Sequence, residues 1–301
     1  MQTISEFFGS YGYLIYLVAQ NAVLALSVYV TLMAGQLSLA CIGFMAIGAY
    51  SSALMSMNAG IPYPFSLLLA ALISAAIAFL IGGPILRLKG VYLAITTIGF
   101  GELMRFTALN WDYAGGAMGL SGIPAATETW HVFAFLVLLI YGFHQLQRSR
   151  HGRALVAIGR DEMAARTMGI PTTRYKIAAF VAGAMMASIT GSLAAHHTNY
   201  LSPSEFSFST AVLVLIFAVF GGLGSHWGPI MGAIVLTMLP EVFRFLQEWR
   251  MIIYGLSVLL VVVFLPDGLL EVRKLFRRRK DRTAHAAQPT AAVAAAADLK
   301  A

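Results

Sequence analysis

Charge is scarce in this chain, and it is unevenly distributed. Only 11% of its 301 residues are Asp, Glu, Lys or Arg, less than half of the roughly 25% common in soluble domains. The first 86 residues contain no Lys or Arg at all. So little charge excludes an ordinary soluble globular domain. A secretory leader opens on a positive segment, so the first apolar run is expected to be a retained span. Cysteine occurs once, as Cys41, which excludes a disulfide framework. The dipeptide Gly-Lys occurs nowhere. That excludes a phosphate-binding loop, whose lysine follows a glycine and holds nucleotide. The H-E-x-x-H, G-x-S-x-G and paired-cysteine spacings are missing as well. No catalytic residue is assigned, and His196 and His197 have no third group at ligand spacing, so no metal site is assigned either.

What the chain has instead is grease. Hydrophobic residues make up 59% of it, and the mean hydropathy is +0.77. They come in runs of about 20, the length that crosses roughly 30 Å of hydrocarbon. Candidate spans lie near 11–33, 40–57, 65–86, 91–109, 130–147, 174–198, 208–222, 228–247 and 251–265. The fold class is therefore all-α, a polytopic transmembrane helical bundle of about 8–10 spans, some glycine-broken or re-entrant. Residues 1–272 read as the membrane domain, and 273–301 as a basic, Ala-rich, disordered tail resting on lipid.

The net charge of +7 does not point to nucleic acid, because the positives sit in clusters between apolar runs. With the N-terminus outside, 17 of the 20 Lys and Arg fall on the cytoplasmic side, as membrane insertion favours. Arg105, Arg244 and Arg250 then lie near outer ends of spans. With Pro240, Glu241, Arg244 and Glu248 read as an interfacial stripe at the end of a span.

Two stretches interrupt the apolar pattern. In "MAGQLSLACIGFMAIGAY", Gly35, Gln36 and Ser38 precede Gly43 and other small residues. In "GGLGSHWGPIMGA", Gly221, Gly222 and Gly224 lie between two spans. Small residues let helices approach closely in lipid, and paired breaks in two halves of a transporter mark a pathway. Both readings stay open. Glu102 and Arg105, three residues apart, share one helical face inside a run. They read either as a polar anchor beside the translocation route or as an ion pair that fixes the helix.

The longest polar break, residues 148–176, carries seven of the Lys and Arg. Its pattern predicts one short amphipathic helix with Leu155, Ile158, Ala165 and Met168 on one side and Arg153, Arg160 and Arg166 elsewhere. Gly169, Ile170 and Pro171 form a stop, and Thr172 or Thr173 is expected to cap the next helix. Such a helix suits either a partner's groove or an anionic lipid surface.

The stretch "GRALVAIGRDEMAARTMGI" resembles the cytoplasmic coupling loop of ABC importer permeases, in which Glu-x-Ala-Ala precedes a glycine. Here those positions are Glu162, Ala164, Ala165 and Gly169. More specifically, the chain resembles the branched-chain amino acid permeases of the LivM-like branch from about residue 20 to 265. The resemblance runs through "GQLSLACIGFMAIGAY", "GVYLAITTIGFGELMRF", "NWDYAGGAMGLSGI", "YLSPSEFSFSTAVLVLIFAVFGGLGSHWGPIMGA" and "LPE". It implies an inner-membrane importer with two cytosolic ATPase subunits, a second related permease and an extracytoplasmic solute-binding protein. ATP and Mg would then sit on the partner subunits, with no cofactor on this chain. Coupling would run through Arg153, Glu162, Ala164, Ala165, Gly169 and Ile170. The pathway candidates are Gly35, Gln36, Ser38, Gly43, Glu102, Arg105, Gly115, Gly116, Gly221, Gly222 and Gly224. The implied solutes are mainly Leu, Ile and Val, with urea, amides and aromatic acids as alternatives in the family. Ala114 before Gly115-Gly116, and Ala40-Cys41 after "GQLSL", depart from the family's usual residues and leave the solute open. An ion-coupled secondary transporter is the remaining alternative, disfavoured because Glu102 is the only acid well inside a span.

Overall fold

The computed structural model describes residues 2–242, with Gly255 and Leu259 beyond them. Arg244, Glu248, Arg250, the run near 251–265 and the tail from Arg273 lie outside the described residues.

Helices account for nearly all of the described structure. α1 (Gln2–Met33), α2 (Cys41–Asn58), α3 (Tyr63–Ile85), α4 (Val91–Asn110) and α5 (Thr129–Arg148) follow the predicted runs closely. So do α8 (Thr172–Thr198), α9 (Phe208–Gly221) and the described part of α10 (Trp227–Val242). Among the described residues, four helices are long and apolar enough to cross a membrane: α1 from Gly12, α3, α5 and α8. Their ends follow local chemistry. Glu128 and His131 form a reciprocal capping box at the start of α5. Asn199 closes α8 in the left-handed region, with its N–H on the Ala195 carbonyl.

The 148–173 segment departs from the single helix that its periodicity predicts. It forms two helices, α6 (Arg150–Arg160) and α7 (Glu162–Thr167). Asp161 separates them, its Oδ1 accepting the N–H groups of Met163 and Ala164 at 2.9 and 3.0 Å. A carboxylate that caps one helix start necessarily ends the helix before it. Met168, expected on the buried side, is 81% exposed, lying past the end of α7 as its C-cap. Pro171 occupies the position before α8, and neither Thr172 nor Thr173 caps it. Thr172 is instead buried in a side-chain network described below.

α8 is the hub, packing on α2, α3 and α1. Contact with α2 is close enough that a Cβ on Gly48 would overlap the Ser188 backbone, and one on Gly191 the Met45 carbonyl. The Ser188 hydroxyl donates to the Ala70 carbonyl of α3 at 3.1 Å, so one side chain serves both neighbours. One apolar core joins α2, α4, α8 and α9 through Phe44, Ile42, Phe180 and Val214. A second joins α1, α5, α9 and α10 through Tyr29, Val23, Phe217 and Leu236. Around this centre, α3, α4 and α5 turn large apolar side chains outward, among them Phe79, Leu80, Tyr92 and Leu138. Such a surface fits lipid tails rather than water.

A second feature absent from the sequence reading is a two-residue antiparallel pairing. β1 (Leu120–Ser121) meets β2 (Tyr200–Leu201), with Leu120 opposite Leu201. It staples the 111–128 loop to the segment that leads into α9.

Candidate functional site

Two groups of residues stand out, one at the α6–α7 element and one where helices are interrupted. At the first, Ser149 caps α6 by accepting the Gly152 N–H at 3.2 Å. Leu155, Ile158 and Ala165 are buried against the bundle, as their spacing predicts. Gly159 lies against the end of α1 so closely that any Cβ there would overlap the Met33 carbonyl and press on Gly35. This contact puts the α6–α7 element directly against the first helix break.

Glu162 holds the other half. Its Oε2 accepts from Lys176 Nζ at 2.6 Å, and its Oε1 from Arg166 at 2.8 Å. Thr172 adds a hydrogen bond to the same carboxylate at 3.4 Å and accepts one from Arg166 Nε at 3.0 Å. The hydrogen bond from Lys176 holds the Glu162 carboxyl below the usual carboxylate range, with Arg166 adding to the effect. Lys176 and Thr172 belong to α8, so α7 is tied to the hub helix by charge. Gly169 has φ +79° and ends α7, its N–H bonded to the Arg166 carbonyl. The Ile170 N–H reaches the Ala165 carbonyl, completing a six-to-one closure. Ala164 is exposed, and Arg153 is exposed with one N–H donated to the Arg148 carbonyl. Beside them, Val156, Met163 and Met168 are exposed apolar side chains on an otherwise polar element.

The second group lies inside the bundle. Gly35, at φ +70°, ends the turn after α1, and residues 36–39 then lead into α2 without regular structure. The Leu39 N–H is held by Thr97 Oγ1 of α4 at 3.0 Å. Ser38 is buried and accepts the Ala40 N–H at 3.4 Å. Gln36 is buried, and neither atom of its amide finds a partner among the described residues. Gly43 lets α2 rest on Phe100 and Gly101 of α4. Further along α4, Glu102 and Arg105 do pair, at 2.8 Å, each with 26% of its side chain exposed. The other oxygen of Glu102 accepts the Phe208 N–H at 2.9 Å, capping α9. A cavity lined by Leu39, Ile42, Gly101, Glu102, Phe206 and Phe208 joins these two places.

Not all the predicted pathway residues meet there. Gly115 and Gly116 sit in left-handed turns of the 111–128 loop. Gly221, Gly222 and Gly224 form the α9–α10 turn, a full α9 away from Glu102, about 21 Å by helical rise. That turn is held at the α5 end by His226, which meets Gln147 at 2.9 Å, while Gln147 donates to Tyr29. Sequence reasoning missed Thr97, Asp161, Lys176 and Gly159. Asp161 was legible as a cap; the others act through partners distant in sequence. Among the described residues no group of three or more His, Cys, Asp or Glu could hold a metal ion.

A multi-helix, lipid-facing bundle with a charged helical element is an architecture, and comparison with known proteins gives it a family. Residues 10–263 match the family described as branched-chain amino acid transport system, permease component. The chain belongs to that family. It is thus the permease of an ABC importer, a multi-pass membrane protein that works with ATPase and solute-binding partners. The high-affinity branched-chain amino acid permease LivM of Salmonella typhimurium is 35% identical over 286 residues, covering 83% of this chain and 67% of the relative. LivM of Escherichia coli matches equally well, with the same identity and coverage. The autoinducer 2 import permease LsrC of an Enterobacter strain is 27% identical, over 89% of this chain and 80% of its own length. No solved structure matches.

Proposed function

We propose that this permease passes branched-chain amino acids across the bacterial inner membrane and is driven by ATPase subunits docked on α6 and α7. The observation that carries the reading is the Glu162–Lys176 tie. It makes α7 and the hub helix α8 one body, so a push on the element from the cytosol moves the centre of the bundle. The working assembly is two cytosolic ATPases, this chain with a second related permease, and an extracytoplasmic solute-binding protein. ATP and Mg belong to the ATPases. The N-terminus faces outward, because that choice puts the α6–α7 element and the Arg87–Lys89 turn on the cytoplasmic side.

Val156, Met163 and Met168 form the apolar part of the docking face, with Arg153 and Ala164 beside them. Glu162, Ala165, Gly169 and Ile170 shape the element from behind. Gly35, Gln36, Ser38, Gly43, Glu102 and Arg105 line or support the route through the bundle. Gly115 and Gly116 shape its outer loop, and Gly221, Gly222 and Gly224 its second turn.

Solute identity rests on LivM, whose name specifies branched-chain amino acids, at the higher identity. LsrC shows that the same family architecture serves another solute, so urea, amides or aromatic acids are the competing cargo. Ion coupling is disfavoured by Glu102. Its two oxygens are engaged by Arg105 and by the Phe208 N–H, so this carboxylate is not free to relay protons. The experiment is uptake of radiolabelled Leu, Ile, Val, urea and phenylalanine into vesicles holding the full complex. ATP-dependent Leu uptake that competes with Ile and Val supports the reading. Uptake without the ATPases, or with urea alone, overturns it.

A further inference from the structure

We infer that Thr97 and Glu102 of α4 are positioning residues that make the two interrupted helices move as one. This rests on the permease reading and adds to it the part that joins the two breaks. α2 and α9 both begin beside the middle of α4 rather than level with one of its ends. Measured along α4, Thr97 lies about 9 Å and Glu102 about 16 Å from Val91, on a helix of about 30 Å. Each side chain takes the backbone N–H at or beside one of those beginnings: Leu39 at 3.0 Å and Phe208 at 2.9 Å. In an apolar bundle an N–H without a partner is costly, so each beginning has one preferred seat, and both seats are on α4.

The cavity between them has walls from both beginnings: Leu39 and Ile42 from one, Phe206, Ser207 and Phe208 from the other. Gly43 adds a direct contact between α2 and α4. Arg105 donates to the second oxygen of Glu102 at 2.8 Å, which keeps the carboxylate aimed at α9. A displacement of α2, itself packed on the hub α8, therefore carries α4 and the start of α9 with it. Losing either seat leaves α9 or α2 free to lag behind.

The test uses the complete transporter in proteoliposomes, with Cys41→Ser as background and spin labels at Leu37→Cys and Ser209→Cys. Both positions are exposed. With the seats intact, the label separation is narrow and changes little between nucleotide-free and ATP-trapped states. Thr97→Val or Glu102→Ala broadens it. Thr97→Ser restores it, which excludes simple misfolding. The same variants lower the maximal uptake rate about tenfold, the loss expected when a backbone N–H is left without its acceptor, while the half-saturating solute concentration stays within about twofold. The double variant is no worse than the worse single one. A wild-type separation that changes with ATP, narrow distributions in both variants, or additive rate losses would each overturn the inference. Because the label separation needs no transported solute, it stands or falls apart from the assignment of the cargo.

Discussion

The α6–α7 element and the interrupted helices are held by different kinds of bond. At α7 the ties are charged, partly wet and redundant: Glu162 has Lys176, Arg166 and Thr172 around one carboxylate. At the interrupted helices the ties are single: one buried hydroxyl for Leu39 and one more exposed carboxylate oxygen for Phe208. Partners in water replace one another, so losing one of several costs little. A backbone group in an apolar interior has no substitute. The α6–α7 element is built to bear load without breaking, and the interrupted helices to hold one arrangement at a time.

The joint between the two regions gives the largest expected effect. Gly159→Val drives a side chain into the Met33 carbonyl and parts α6 from the end of α1. Uptake should fall about 100-fold, equivalent to roughly 2.7 kcal/mol of lost coupling. The variant should still purify as a folded complex, since the hub contacts of α8 are untouched. If Gly159→Val transports normally, the contact between element and bundle is irrelevant to the cycle.

Lys176→Met comes next. It removes the shortest partner of Glu162 and leaves Arg166 and Thr172 in place. Redundancy predicts a loss of about 1–2 kcal/mol and a fall in uptake of about tenfold, measured at matched complex concentration. Gly169→Asp is milder in stability, about 1 kcal/mol, because its left-handed φ is strained for Asp while open space surrounds it. It should loosen coupling, so that ATP hydrolysis continues while uptake drops several-fold. Gly169→Asn, which tolerates that conformation better, should recover most of the difference.

The smallest effect is the acid limb. The Glu162 carboxyl lies below its ordinary value when folded. Its stabilisation is therefore fully present above the unfolded carboxylate range and is lost as pH falls through the lowered value. Thermal stability of the wild-type complex should be insensitive to this group between pH 7 and pH 5, then decline at more acidic pH. Glu162→Gln should lack that component. An identical acid limb in both would remove the charged tie from the account.

Much of the architecture was legible because bilayer thickness sets run length, and the runs from 63 to 110 and from 172 to 198 hardly moved. The Glu102–Arg105 pair was legible because helical spacing of three fixes a shared face. The split at Asp161 was obscured because Leu155, Ile158 and Ala165 stay buried on both sides of it, so periodicity runs through the break. Thr97 with Leu39, Glu162 with Lys176, and Glu102 with Phe208 are separated by 58, 14 and 106 residues. No local rule reaches that far. Only the folded chain brings them together.

The embrace of α2 by α8 has a consequence for biogenesis. Gly48 is made about 140 residues before the Ser188 it must pack against, and a ribosome adding roughly 5–20 residues each second needs on the order of 10 s to bridge them. During that wait α2, with its serines and small residues, has no partner on the side meant for α8. It must shelter beside the insertion machinery or pass its early life against α1 and α3. Nascent chains arrested before α8 emerges should remain cross-linkable to the translocon through α2, and chains released after it should not.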